Sequence, residues 1–486
     1  MKRLMILCVI LTAVALIAGP AFAEVQNVKV SGDVNAGGVY RNSYNLYPAS
    51  RNAASSPSGS SEDGQDSDNN NFLYTQARVR IDADLTDNVM ATIRLLSEYD
   101  WCTESNTSSN GDNVDIDLAN VTLKEVFYAP LTVIVGRQEL RYGTAFVVGD
   151  PDTNGTSADG NLSATDLSLR KSFDAVRAIL DYNPLTVEGI FAKINEQGGA
   201  TANQNDDEDL FGVNVAYDLS DNNAEVEAYW FLNRDQDQDA ALASTSPNTP
   251  GHDIHTFGAR GSIEPIENLN LLGEVAFQRG DFETASIGSV STKRKQHAYA
   301  YQVAGDFTFG NIQYVPVVRA GWTHYSGEGL ADDGDFEAWI PLYEDQTHGV
   351  VANYILSGVN GGQNSNADIL NVGASADVIE DLSVSIDYYN FQLDEKLVSA
   401  ANTVLATSGA LNWNNLSEGT IYANDSDELG YEIDIALDYD YTEDVKMGLS
   451  AGWFKPGKAL EGENPSTNVR NDQTALQILA TMDVAF

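Results

Sequence analysis

Residues 72–101 read FLYTQARVRIDADLTDNVMATIRLLSEYDW. Leu73, Thr75, Ala77, Val79, Ile81, Ala83 and Leu85 alternate with Tyr74, Gln76, Arg78, Arg80, Asp82 and Asp84. After the break Thr86-Asp87-Asn88 the pattern resumes, with Val89, Ala91, Ile93, Leu95, Ser97 and Tyr99 set against Thr92, Arg94, Glu98 and Asp100. Side chains alternate faces along a strand, so each run has one apolar and one charged face. Three polar residues between two such runs predict a hairpin. This pattern suits a sheet with one solvated face, or a membrane wall with lipid outside and a wet lumen inside.

The connection lengths choose between the two. Short breaks recur at 86–88, 128–130, 183–184, 220–223, 264–267, 310–311, 379–381 and 441–444. Between them fall long polar stretches, at about 42–71, 102–113, 143–171, 196–208, 235–251, 280–295, 326–366, 394–427 and 456–472. Short turns alternating with long loops are the mark of an up-and-down antiparallel β-barrel, with turns on the periplasmic side and loops outside. The runs between them number 18: 27–41, 72–85, 89–101, 114–127, 131–142, 172–182, 185–195, 209–219, 224–234, 252–263, 268–279, 296–309, 312–325, 367–378, 382–393, 428–440, 445–455 and 473–486. Each is long enough to cross the membrane at a tilt, and a ring of that size holds an aqueous channel. The fold expected is an all-β transmembrane barrel of about 18 strands.

Both ends of the chain agree. Lys2 and Arg3, the apolar run 4–18 and Ala21-Phe22-Ala23 form a secretory signal peptide over 1–23, leaving 24–486 as one barrel domain. The last run alternates through Leu476, Ile478, Ala480, Met482 and Val484 and ends on Phe486. A terminal aromatic after an amphipathic strand is the expected signal to the barrel-assembly machinery. The location expected is the bacterial outer membrane, as an integral protein among lipid and lipopolysaccharide.

Composition removes other classes. The chain carries 71 acidic and 27 basic side chains, for a net charge of −44. That excludes nucleic acid as a partner. Past the signal only Cys102 remains, and the five histidines show no ligand spacing. No nucleophile elbow, zincin or haem-attachment motif occurs, so neither an enzyme nor a resident cofactor is expected. Asp150-x-Asp152-x-Asn154-Gly155 matches the first half of a calcium loop, but position twelve is Asn161, so Ca2+ in the outer loops is a weak expectation.

Alternation points Arg78, Arg80, Arg94, Arg177, Arg260 and Arg319 into the lumen, with the acids Asp82, Glu98, Glu225, Glu227, Glu274, Asp387, Glu432, Asp434 and Asp438. Arg137 and Arg141 fall on the outward parity of Val133 and Val135. Arginine against mid-bilayer lipid costs ~2–4 kcal/mol, which predicts a bulge near Gly136 that turns both inward. The pore lining expected is therefore these eight arginines with Glu432 and Asp434. Such arginines guide anions as a ladder of fixed charge or brace the wall as Arg–carboxylate pairs. Tyr74, Tyr229 and Tyr389, predicted inside, are candidates for stacking on sugar rings. The stretch 326–366 is long enough to fold into the lumen.

Several segments resemble one family. Val135-Gly136-Arg137-Gln138-Glu139-Leu140-Arg141-Tyr142-Gly143 is similar to a signature of alginate-export-type outer-membrane channels, and Arg170-Lys171-Ser172-Phe173-Asp174-Ala175-Val176-Arg177 to the segment that follows it. Tyr299-Ala300-Tyr301-Gln302-Val303-Ala304-Gly305, the stretch 336–349 with Pro341-Leu342-Tyr343 and His348-Gly349, Gly430-Tyr431-Glu432-Ile433-Asp434 and Phe454-Lys455-Pro456-Gly457 resemble later pieces in the same order. The resemblance runs from about residue 119 to the end. It implies an 18-stranded barrel that passes hydrophilic, anionic solutes or polysaccharide. The alternative is a structural sheath around a partner such as a multihaem cytochrome.

Overall fold

The computed structural model describes residues 27–44, 46, 70–101, 114–151, 162–196, 207–219, 223–235, 252–284, 292–328, 335–357, 364–396, 426–460 and 472–486. The signal segment, Cys102, most of 42–71 and calcium-loop residues 152–161 lie outside them. The strands are β1 (Asn27–Asn42), β2 (Asn70–Thr86), β3 (Val89–Asp100), β4 (Asp115–Leu123), β5 (Leu131–Glu139), β6 (Ser172–Asp181), β7 (Leu185–Glu196), β8 (Asp207–Leu219), β9 (Ala224–Asp235), β10 (His252–Ile266), β11 (Leu269–Thr284), β12 (Thr292–Thr308), β13 (Val317–Tyr325), β14 (Asp335–Phe336), β15 (Ala367–Ile379), β16 (Leu382–Gln392), β17 (Glu428–Thr442), β18 (Val445–Pro456) and β19 (Ala475–Ala485).

Each strand pairs antiparallel with the next, except that β13 pairs with β15. β1 pairs with both β2 and β19, which closes the ring. β14 stands apart as two residues laid parallel on β12. The wall is thus a closed 18-stranded barrel, with β14 an extra strand outside that ring, on the edge of β12 beyond its pairing with β13. Gly32 and Phe486 exchange both backbone hydrogen bonds at 2.9 Å across the seam. The Phe486 ring covers Gly32, where an added Cβ would come within 2.6 Å of that ring.

The outer surface follows the alternation. On β17, Tyr431, Ile433, Ile435, Leu437 and Tyr439 are all exposed, two aromatics bracketing three aliphatics. Eight steps of ~3.3 Å, from Tyr431 to Tyr439, span about 26 Å along a tilted strand, the reach of a lipid-facing band. Tyr99, Trp322 and Trp453 extend the aromatic ring at the long-loop end, and Tyr182, Tyr217 and Tyr441 at the short-turn end.

Several strand ends differ from expectation: β5 stops at Glu139, β11 and β12 run into the stretch 280–295 that reads as loop, and two others are cut short by their turns. β4 stops at Leu123 because Glu125, Phe127 and Tyr128 take positive φ and form a 3-10 turn. β13 starts at Val317 because Tyr314 and Val315 also take positive φ. Apolar turn residues at an interfacial girdle look like strand in the sequence.

Ile435→Arg places a cation at the middle of the lipid-facing band. It is expected to cost ~2–4 kcal/mol, read as a lower urea midpoint for the folded, heat-modifiable species. An unchanged midpoint would mean that this face does not meet lipid.

Candidate functional site: the lumen and its inner segments

Two stretches that leave the wall at its long-loop end turn back inside it. The first covers 140–150 and continues at 162–171. The second runs from β14 to a short helix, α1 (Ala352–Ser357). They pair with each other. Gly149 N and Asp150 N donate to Tyr343 O at 2.6 and 3.0 Å, Tyr343 N to Val147 O at 3.0 Å, and Asp345 N to Ala145 O at 2.9 Å. Phe146 stacks on Tyr325 of the wall and Trp339 of the second stretch, with centroids 5.5 and 6.2 Å apart. All three rings are fully buried. The apolar side chains of both stretches have found each other, which is the only way such residues leave water inside a wet lumen.

The second stretch reaches nearly opposite walls. Gln278 of β11 donates to Ile340 O at 2.6 Å and accepts from Ile340 N at 2.9 Å. Gln296 of β12 donates to Ala338 O. The Tyr343 hydroxyl donates to Glu208 of β8 at 2.7 Å. On β17, Glu432 accepts from Val351 N and Ala352 N at 2.7 and 2.6 Å, and Asp434 accepts from Val350 N at 3.2 Å. Glu432 is fully buried. Gly452 of β18 leaves the room that Val350 fills, since a Cβ there would collide with it. The Arg41 guanidinium lies over the rings of Tyr44 and Tyr354, at 5.0 and 4.8 Å. Hence the described part of 326–366 from 335 to 357 does fold into the lumen. Its partner stretch 140–150 was missed in the sequence, although the apolar run Ala145-Phe146-Val147-Val148 amid polar residues marks it.

The structure puts the side chains of Arg78, Arg80, Arg94, Arg177, Arg260 and Arg319 on the lumenal parity, each beside a carboxylate. Arg78 pairs with Asp33, Arg80 with Asp82, Arg94 with Asp117 and Glu139, and Arg177 with Glu188. Arg260 pairs with Glu227 and Glu225, and Arg319 with Asp387. Asp117 is buried beneath Arg94 by a bulge in β4, where Arg94 faces Leu118 but Leu95 faces Ile116.

Arg137 is a correction. Gly136 does take a positive φ of 119°, yet β5 pairs through it on both sides without a skipped residue. Arg137 therefore keeps the outward parity of exposed Val135, while Gln138 is buried inside. Asp174 lies directly opposite and takes the guanidinium through two bonds of 2.9 and 2.8 Å. At the rim, a paired arginine needs no bulge. Arg141 reaches the inner segments by another route, because β5 has already ended. It pairs with Asp345 at 2.5 Å, and so does Lys171. Burial works against the Asp345 charge, but Lys171 and Arg141 hold its carboxyl below the usual range.

Tyr74 and Tyr229 are buried, the latter donating to Glu274 at 2.8 Å, and Tyr389 stacks on Phe391. These rings are packed against protein, so the sugar-stacking expectation has no free face at Tyr74 or Tyr229.

Glu432→Ala is expected to leave Val351 N and Ala352 N without acceptors, at ~1–3 kcal/mol for groups buried this way. The inner stretch then loosens, and single-channel conductance in a planar bilayer rises. Deleting 336–350 is expected to raise it further. Wild-type conductance from both variants would place the constriction elsewhere.

The family model for alginate export matches residues 35–472. No curated protein matches the chain. Among solved structures, OpdL of Pseudomonas aeruginosa is similar at 11% identity and a TM-score of 0.51, over 95% of this chain and 99% of that one. OccAB4 of Acinetobacter baumannii is similar at 10% identity and a TM-score of 0.49, over 96% and 100%. At 11% identity the likeness to OpdL speaks for the barrel fold alone. The family match runs from the first strand to the last loop, and the chain belongs to the alginate export family.

Proposed function

We propose that this outer-membrane channel passes hydrophilic solutes passively and favours anions, with carboxylated sugars as the candidate class. The observation that carries this reading is how the ion pairs sit in the lumen. In Arg141–Asp345 the cation is 54% exposed and the carboxylate 16%. In Arg80–Asp82 the values are 41% and 20%, and Lys171, also on Asp345, is 35% exposed. Arg319–Asp387 follows the same order. In these pairs the carboxylate lies back and the cation stands in the water, whereas Arg78–Asp33, Arg94–Glu139 and Arg260–Glu225 are ordered the other way. Arg141 and Lys171 are the cations carried at the inner segments themselves. A passing anion meets the cationic heads first, at a section that the inner segments narrow.

Acids do stand exposed near the short-turn end, among them Asp438 and Asp440. The inner segments do not cross there. Fields are focused where low-dielectric walls come close, so the crossed section governs selectivity. The sheath reading draws no support from this geometry, because the chain's own segments occupy the lumen that a cytochrome would need.

Two charge reversals separate guidance from bracing. Arg141→Glu is expected to shift the reversal potential under a KCl gradient towards cations and to weaken block by short uronate oligomers. Arg137→Glu, on the outer face, is expected to leave both unchanged. If Arg141→Glu also changes neither, the arginines are braces and the anion preference fails.

A further inference from the structure

A group of metal-ligating side chains lies away from the lumen, on the outer wall at the long-loop rim. His324, next to last in β13, faces Asp368, second in β15. Asp394 follows the end of β16. One donor atom from each lies within 4.8 Å of the others. His324 points outward, since its neighbours Thr323 and Tyr325 are buried on the lumenal side. It is nevertheless only 5% exposed, because Tyr299 and Tyr301 stack on its ring at 5.1 and 4.8 Å.

The polar atoms here are poorly matched. His324 Nδ1 is 2.9 Å from Asp368 Oδ1, while its Nε2 is buried with no hydrogen-bond partner. Asp368 also accepts from Trp322 Nε1 at 3.1 Å, and Asp394 accepts from Gly327 N at 2.8 Å. His324 is held by Asp368 through its Nδ1. Negative charge thus gathers at one corner of the rim around a buried imidazole.

We propose that His324, Asp368 and Asp394 bind a divalent cation, of the Zn2+ or Mn2+ class. Two carboxylates balance the ion's charge, and an imidazole nitrogen suits first-row transition metals. Calcium wants six to eight oxygens and gains little from that nitrogen. Binding takes the Nδ1 lone pair and leaves the ring proton on Nε2, the nitrogen that has no partner to lose. The ion ties β13, β15 and the segment after β16 together. It also pins Gly327, where the inward stretch begins, through Asp394.

Titration calorimetry tests this on the detergent-solubilised barrel, purified without a histidine tag, with ZnCl2, MnCl2 and CaCl2 as probes. Wild type is expected to show one saturable Zn2+ site, with Mn2+ weaker and Ca2+ weaker still. His324→Gln and Asp394→Asn are each expected to weaken Zn2+ by about tenfold or more, as loss of a ligand should. Asp394 lies beyond the strand, so that variant keeps the barrel, checked by heat-modifiable electrophoresis. Absence of saturable Zn2+ binding in wild type, wild-type affinity retained in both variants, or Ca2+ binding as tight as Zn2+ would each overturn the assignment.

Discussion

A backbone that crosses hydrocarbon has no water to satisfy its amides, and everything else in this protein follows from meeting that demand by closure. Unpaired amides at membrane depth cost several kcal/mol each, so a sheet survives there only without edges. The ring closes where β1 takes β19 on one side and β2 on the other. Gly32 matters at that seam, because any side chain would hold the last residue away from the first strand. Once the ring is shut, period-two alternation alone sorts side chains between lipid and lumen.

Inside, the same chemistry works in the opposite sense. Charged side chains that the lipid rejects crowd a confined wet space, and the fold pairs them. Arg–carboxylate pairs between neighbouring strands, Arg78–Asp33, Arg177–Glu188 and Arg260–Glu227 among them, stitch the wall. The inner segments are anchored by amide side chains and by carboxylates that accept from backbone N–H groups. Some residues serve both wall and insert: Glu98 accepts from Gln76 and from Ser168 and Leu169 N, and Glu274 from Tyr229 and Thr144.

The wall was legible in the sequence because alternation is local. Eighteen runs could be counted from charge and apolarity alone, and the lumenal arginines on β2, β3, β6, β10 and β13 could be assigned to their face. What the sequence hid was tertiary. Phe127, Tyr128, Tyr314 and Val315 read as strand because apolar residues at an interface suit a turn as well. Arg137 seemed to demand a bulge because its partner, Asp174, lies 37 residues away and becomes its neighbour only when β5 meets β6. The bulge that does occur nearby, in β4, tucks Asp117 under Arg94, and nothing in the alternation signals it. The inner pairing of 140–150 with 335–357 was equally hidden, since each half is only a short apolar run until the other is present.

That inner pairing also depends on the seam. The first inner stretch lies early in the chain, yet the second needs Glu432 and Asp434 on β17, and Gln477 on β19 meets Arg41, the residue stacked beneath α1. Those strands include the one that closes the ring on β1. The insert therefore has its full set of bonds only in the complete cylinder, and a barrel opened at that seam would loosen its own filling.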